Sequence, residues 1–184
     1  MRITFDSPVI LSFSFLCAGI YLLSSISPLL GDAFVLYPVW DFDDPLWYFR
    51  LFSHAMGHAN KGHLMANLPM LLLLGPIVEA RYGGRQLILM MLTTAIVTSI
   101  LHLLFFDHGL LGASGIVFML ILLVSARNLK EKELPLSFIL VVIVFIGYEI
   151  MTSFIDDGVS HFAHIIGGAV GTIFAYLLSR KKSV

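Results

Sequence analysis

The sequence predicts an all-α membrane protein: one domain over residues 1–184, a bundle of six transmembrane helices with a short fourth helix and an interfacial first loop. Composition is the first reason. The chain is 58% hydrophobic with a mean hydropathy of +0.93, beyond what a soluble domain carries. The second is the recurrence of apolar runs near the ~20 residues that a helix needs to cross a hydrocarbon core of about 30 Å. The third is the way charge alternates between the connections.

Taken in order, the spans fall near residues 8–30, 62–80, 86–106, 112–126, 135–153 and 160–179. The first resembles a signal peptide in position. Its apolar stretch is long, however, and no small-x-small cleavage site follows, so it reads as a helix. The long connection 31–61 contains WDFDDPLWYFRLF, where aromatic residues mix with acids. Such a mixture suits the headgroup region, as an interfacial loop or as an ordinary extracellular one. The fourth span is conspicuously short.

Arg2, Arg81, Arg85, Arg127, Lys130, Lys132, Arg180, Lys181 and Lys182 share one side of a six-span arrangement, and only Arg50 and Lys61 fall on the other. That imbalance predicts cytoplasmic termini. Asp32, Asp41, Asp43, Asp44, Asp107, Asp156 and Asp157 gather on the opposite face. A net charge of −1 gives no reason to expect a nucleic-acid partner. A lone cysteine, Cys17, excludes an internal disulfide and cysteine-based zinc sites. Compact length and the absence of an appended soluble domain suggest a prokaryotic inner membrane.

Polar groups inside a membrane are costly, so each is a functional candidate. At ~1.5 Å per residue from the cytoplasmic helix ends, His63 and His164 lie ~24 Å up, Ser114 ~20 Å and Asn67 ~18 Å. Three helices thus place polar groups in one layer. His63 and Asn67, four apart, share a helix face, either as a site or as an interhelical polar contact. Ser114 sits in LLGASGIVF, between Gly112 and Gly115, where the short helix begins. A serine there has free backbone N–H groups and the positive helix end beside it, suited to a developing anion; a plain N-cap or a small-residue packing site is the alternative.

In the sixth span Ala163, Gly167, Gly171 and Ala175 recur every four residues, a stripe that admits close helix approach. His164 stands beside it and pairs naturally with a serine nucleophile; His161, one turn nearer the outer surface, is its competitor. No acidic residue sits at a depth to orient His164, so a Ser-His dyad is expected. Glu149, near the outer end of the fifth span, either snorkels to the interface or influences substrate access.

The set HLMAN (63–67), GPIVEARYG (75–83), GASG (112–115) and AHIIGGAVG (163–171) resembles the rhomboid family of intramembrane serine proteases. WYFRLFSHAMGHANKGH (47–63) resembles that family's first loop running into the second helix. The likeness spans about residues 45–178. It implies a six-helix fold with a water-filled cavity open to the outer face, Ser114 as nucleophile and His164 as general base. It further implies an oxyanion hole of His63, Asn67 and the Ser114 N–H, a structural pair in Glu79 and Arg81, and a first-loop position in Arg50. The fifth helix with residues 154–160 would be the substrate gate. Phe118 stands where relatives often carry a tyrosine stacked on the histidine, and Ile166 where many have glycine.

The implied activity is endopeptidase cleavage of single-span transmembrane proteins in the lipid bilayer, without cofactor or metal. A metalloprotease is disfavoured because no H-E-x-x-H occurs, and His54 and His58 have no nearby carboxylate or cysteine. Those two histidines are expected to shape the outer edge of the cavity. A non-catalytic rhomboid-like protein that binds transmembrane helices is the alternative, distinguishable with a fluorophosphonate probe.

Overall fold

The computed structural model describes residues 4–126, 135–152 and 161–180. Arg2, Arg127, Lys130, Lys132, Lys181, Lys182, Asp156, Asp157 and the loop 154–160, all invoked above, lie outside the described residues.

The elements are helices α1 (Pro8–Ile26), α2 (Pro28–Asp32), α3 (Pro45–Ser53), α4 (Lys61–Tyr82), α5 (Gly84–Phe105), α6 (Ser114–Ser125), α7 (Leu136–Val141), α8 (Gly147–Thr152) and α9 (His161–Arg180). A 3-10 turn, His54–Met56, follows α3, and a π-helical segment, Val142–Ile146, joins α7 to α8. Helices α1, α4, α5 and α9 are long and apolar enough to cross a membrane; Ser114–Ser125 and Leu136–Met151 are shorter apolar helices. The fold is thus an all-α membrane bundle.

The first helix ends earlier than its apolar run suggests. Pro28 lacks an N–H and pushes the residue before it out of the helical region, so Ser27 is extended (φ −135°, ψ 106°) and α2 starts afresh. At the other end of α1, Pro8 occupies the first turn, and the Val9 and Ile10 amides donate to the two oxygens of Glu79, each at 3.0 Å. Glu79 therefore joins α1 to the end of α4, a carboxylate at a helix N-terminus where the dipole favours it. Gly75 lets Ile10 lie directly on the α4 backbone; a Cβ there would fall 2.7 Å from its Cδ1. Beside Glu79, the Arg81 guanidinium lies over the Tyr82 ring.

The first loop is more structured than a flexible connection. Asp44 caps α3 by accepting from the Leu46 amide at 2.9 Å. Trp47 is buried within a group of rings with Trp40, Phe42 and Tyr48. Arg50 closes the loop on itself: its guanidinium reaches the Asp32 carboxylate at 2.7 Å and the Asp32 carbonyl at 3.2 Å. The Tyr37 hydroxyl donates to the same carboxylate, which pushes its pKa up.

Helix α6 is the axis of the bundle. Every residue from Gly115 to Leu123 is buried, as expected of a helix apolar all round. Its 12 residues reach only ~18 Å, so it cannot span a ~30 Å core. The segment 106–113 leads into its N-terminus. Leu110 in that segment exchanges two backbone hydrogen bonds of 2.9 Å with Leu36 of the first loop. Asp107, His108 and Gly109 are exposed, whereas Leu110, Gly112 and Ala113 are buried, so protein covers the non-helical backbone next to the helix start.

The α6–α9 contact is backbone against backbone. A Cβ on Gly167 would lie 2.8 Å from Gly115 Cα, and one on Gly171 would lie 2.6 Å from the Met119 carbonyl oxygen. Ala163 and Ala175 complete the same buried edge of α9.

Candidate active site

The N-terminal ends of α4, α6 and α9 converge at one end of the bundle. Ser114 is the first residue of α6 and is half-buried. The first hydrogen bond of that helix runs from the Val117 amide to the Ala113 carbonyl at 2.9 Å. The amides of Ser114, Gly115 and Ile116 therefore have no acceptor within the helix. Three positive helix ends at one point favour negative charge there.

The loop before the serine is fixed by its neighbours. Gly112 has φ 124°, a left-handed conformation that suits glycine. A Cβ at Gly112 would sit 2.6 Å from His63 Nε2, so the imidazole lies directly against this backbone. The Gly112 amide donates to the His54 carbonyl at 2.8 Å, which ties the serine loop to the 3-10 turn.

His54 and His58 are therefore not rim residues. Both are buried, with relative exposures of 3% and 6%. The His54 Nε2–H donates to the Ala95 carbonyl of α5 at 3.3 Å, and the His58 ring lies edge-on to His63 with centroids 5.0 Å apart. Burial pushes both down to about 4, so they are neutral near pH 7.

His63 occupies the first turn of α4, whose cap is Asn60; the Asn60 side chain accepts from the His63 amide at 2.9 Å. Asn67 is buried, and its Nδ2 donates to the His63 carbonyl at 2.9 Å. One of its two amide hydrogens is thereby used within the helix, which leaves the other for a ligand.

His164 lies near the start of α6 because α9 crosses α6 at its first turn; a Cβ on Gly115 would lie 3.3 Å from the Ala163 carbonyl. The Phe118 ring, one turn along α6, stacks on the imidazole at 4.4 Å and 8°. Between Ser114 and His164 there is no hydrogen bond among the described residues. Catalytic contacts of this kind often tighten only when substrate binds.

The other side of His164 corrects the sequence expectation that no acid reaches it. The Glu149 carboxylate of α8 accepts from His164 Nδ1 at 2.8 Å and from His161 Nδ1 at 2.7 Å, both on the same oxygen, Oε2. Glu149 is buried, 4% exposed, and has not snorkelled away. A carboxylate only accepts, so each Nδ1 carries a hydrogen and His164 Nε2 is left as the acceptor.

Depth counting missed this pair because it treats each helix as a separate rod. Glu149 follows the π-helical segment, whose wider turn re-aims the residues after it relative to a regular helix. The legible signal was the pair His161 and His164, three apart and so on one face, at the same outer end as Glu149. Glu149, His161 and His164 hold their ligand-type atoms within 4.8 Å of one another, close enough for a metal ion to be considered. Their 2.7 and 2.8 Å separations are ordinary charge-assisted hydrogen bonds.

Compared with known protein families, residues 46–181 match the rhomboid domain.

Proposed function

The chain belongs to the rhomboid family, and on that premise we propose that it is an intramembrane serine endopeptidase cleaving transmembrane segments of single-span proteins. The observation that supports this most directly is Ser114 at an uncapped helix N-terminus whose next turn, at Phe118, stacks on an imidazole that turns its Nδ1 to Glu149 and leaves Nε2 to accept.

In this reading the Ser114 hydroxyl attacks the scissile carbonyl while its proton passes to His164 Nε2. The tetrahedral oxyanion is met by the Ser114 amide, the His63 ring and the second Asn67 amide hydrogen. His164 returns its proton to the leaving amine, and water then hydrolyses the acyl-serine. A helix hides its carbonyls, so the substrate must unwind locally, and segments with helix-weakening residues and small side chains at the cut are favoured. The Phe118 ring holds the imidazole face-on without supplying a hydroxyl.

The site faces the outer side of a prokaryotic inner membrane, with both termini cytoplasmic. No cofactor is needed. Ser114→Ala and His164→Ala should each abolish cleavage of a single-span reporter in a chain that still folds. Covalent labelling by a fluorophosphonate should depend on Ser114. Normal cleavage by both variants, or a wild-type chain that never labels, would leave a helix-binding protein as the better reading.

A further inference from the structure

From the contacts of α8 with α9 we infer that Glu149 is a positioning residue for His164, making the dyad a Ser114–His164–Glu149 triad. The inference rests on the protease reading above and adds a third group to it.

The placement of Glu149 is hard to explain as packing alone. Its neighbours on the same short helix, Tyr148, Ile150 and Met151, are exposed at 63%, 50% and 77%, on the lipid-facing side. Glu149 alone turns inward, and a carboxylate within a membrane helix is costly unless paired. Here it receives two imidazole N–H groups and lies beside the first turn of α9, whose positive end favours an anion. The cost is offset, and the chemical consequence falls on His164.

A neutral imidazole has two tautomers, and only one can take the serine proton through Nε2. An Nδ1–H donated to Glu149 fixes that tautomer and the ring plane, while Phe118 fixes the ring face. When the proton leaves Ser114 Oγ for Nε2, the imidazolium keeps its Nδ1–H on Glu149. The carboxylate takes no proton; it stabilises the cation opposite the oxyanion. His161 donates to the same oxygen, so a second N–H supports the charge on Glu149. The site acts only while α8 is docked on α9.

The test uses the full chain reconstituted in lipid, with a single-span reporter and a fluorophosphonate. Glu149→Gln is isosteric and neutral, so it lightens the burial cost and should fold; its melting temperature checks this. The expected result is a kcat lower by at least roughly 10²-fold with KM little changed, approaching the ~10⁴-fold seen when a triad carboxylate is replaced by its amide. Labelling of Ser114 should slow in parallel, since the probe needs the nucleophile but no transmembrane substrate. Glu149→Asp keeps the charge one methylene short and should recover part of kcat; it also serves if the glutamine variant fails to fold.

Wild-type kcat in Glu149→Gln, with Ser114→Ala inactive, would overturn the triad and leave the protease reading intact. A loss confined to KM would make Glu149 part of substrate access instead and would likewise overturn it. Stoichiometric zinc retained by the wild type after dialysis against zinc chloride and buffer, and lost in Glu149→Gln, would assign the three side chains to a metal. A wild-type chain that neither cleaves nor labels would overturn both readings together.

Discussion

Helix α9 makes two contacts that decide where His164 sits, and they are built on different physics. Against α6 it presents glycine and alanine, and the two backbones touch through Gly115, Gly167, Gly171 and Met119. Against α8 it presents two imidazoles to one carboxylate oxygen, while Ile143, Val144, Tyr148, Ile150 and Met151 of the π segment and α8 stay exposed. Lipid offers no hydrophobic drive for helices to associate, so close packing and polar contacts hold them. The first contact is steric, distributed over several residues, and cannot be loosened by degrees. The second is one polar knot that a single substitution undoes. In the proposed mechanism the rigid contact brings serine and histidine together, and the breakable one aims the histidine.

The largest effect should come from breaking the rigid contact. Gly167→Val places a branched side chain into the Gly115 backbone, and neither backbone can yield. We expect a cost of about 3 kcal/mol, a fall in Tm of roughly 6–12 °C, with activity lost in proportion. A valine variant that melts with the wild type would show that α6 and α9 are not in backbone contact.

Next comes the ring that shares the aiming of His164. Phe118→Ala removes the stacked face and, at ~0.5–1.5 kcal/mol for an aromatic pair, should slow kcat roughly 2- to 12-fold. Phe118→Tyr should restore the rate, because the ring rather than a hydroxyl does the holding. If alanine at this position matched the wild type in steady-state kinetics, the stack would be incidental. Smaller again is His161→Ala. It removes the second donor to Glu149 but leaves His164 its own bond, so kcat should stay within the wild-type order of magnitude. A collapse of kcat in that variant, measured beside the Glu149 series, would show that the two histidines act as one unit.

These contacts also divide what sequence could and could not show. The α-helical membrane class, the short buried helix at Ser114 and the small-residue stripe of α9 were all legible, because each follows from local pattern: hydropathy, glycine placement and a repeat of four. The meeting of the α4, α6 and α9 N-terminal ends was legible too, since His63, Ser114 and His164 each fall near a helix start in the sequence. What failed was direction. Ser27 before Pro28 breaks the first apolar run although hydropathy continues through it. Glu149 reaches His164 only through a π segment, whose hydrogen-bond pattern leaves no mark in composition. His54 and His58 look like loop residues, and their burial comes from partners forty residues or more away in the case of Ala95 and from the packing of the serine loop.

The mildest prediction concerns that serine loop, which neither α9 contact supports. It hangs from the His54 carbonyl through Gly112, and the His54 ring in turn hangs on Ala95. Folded His54 and His58 stay neutral down to about 4, against the ordinary value of 6.5 that the unfolded chain shows. As pH falls below 6.5, the unfolded state binds protons that the folded state refuses. Stability contributed by these two groups is therefore full above 6.5 and is lost as pH drops towards 4. Tm should decline from pH 7 to pH 5, and His58→Phe, which keeps a ring edge-on to His63 but cannot titrate, should decline less. Because Gly115, Met119, Gly167 and Gly171, where the two backbones touch, carry no ionisable group, Gly167→Val should lower Tm by the same amount at both pH values. Parallel melting curves for the wild type and His58→Phe would mean that His58 keeps its ordinary value in the fold. His54→Phe measured at the same two pH values then tests whether the other buried histidine of this loop carries the dependence.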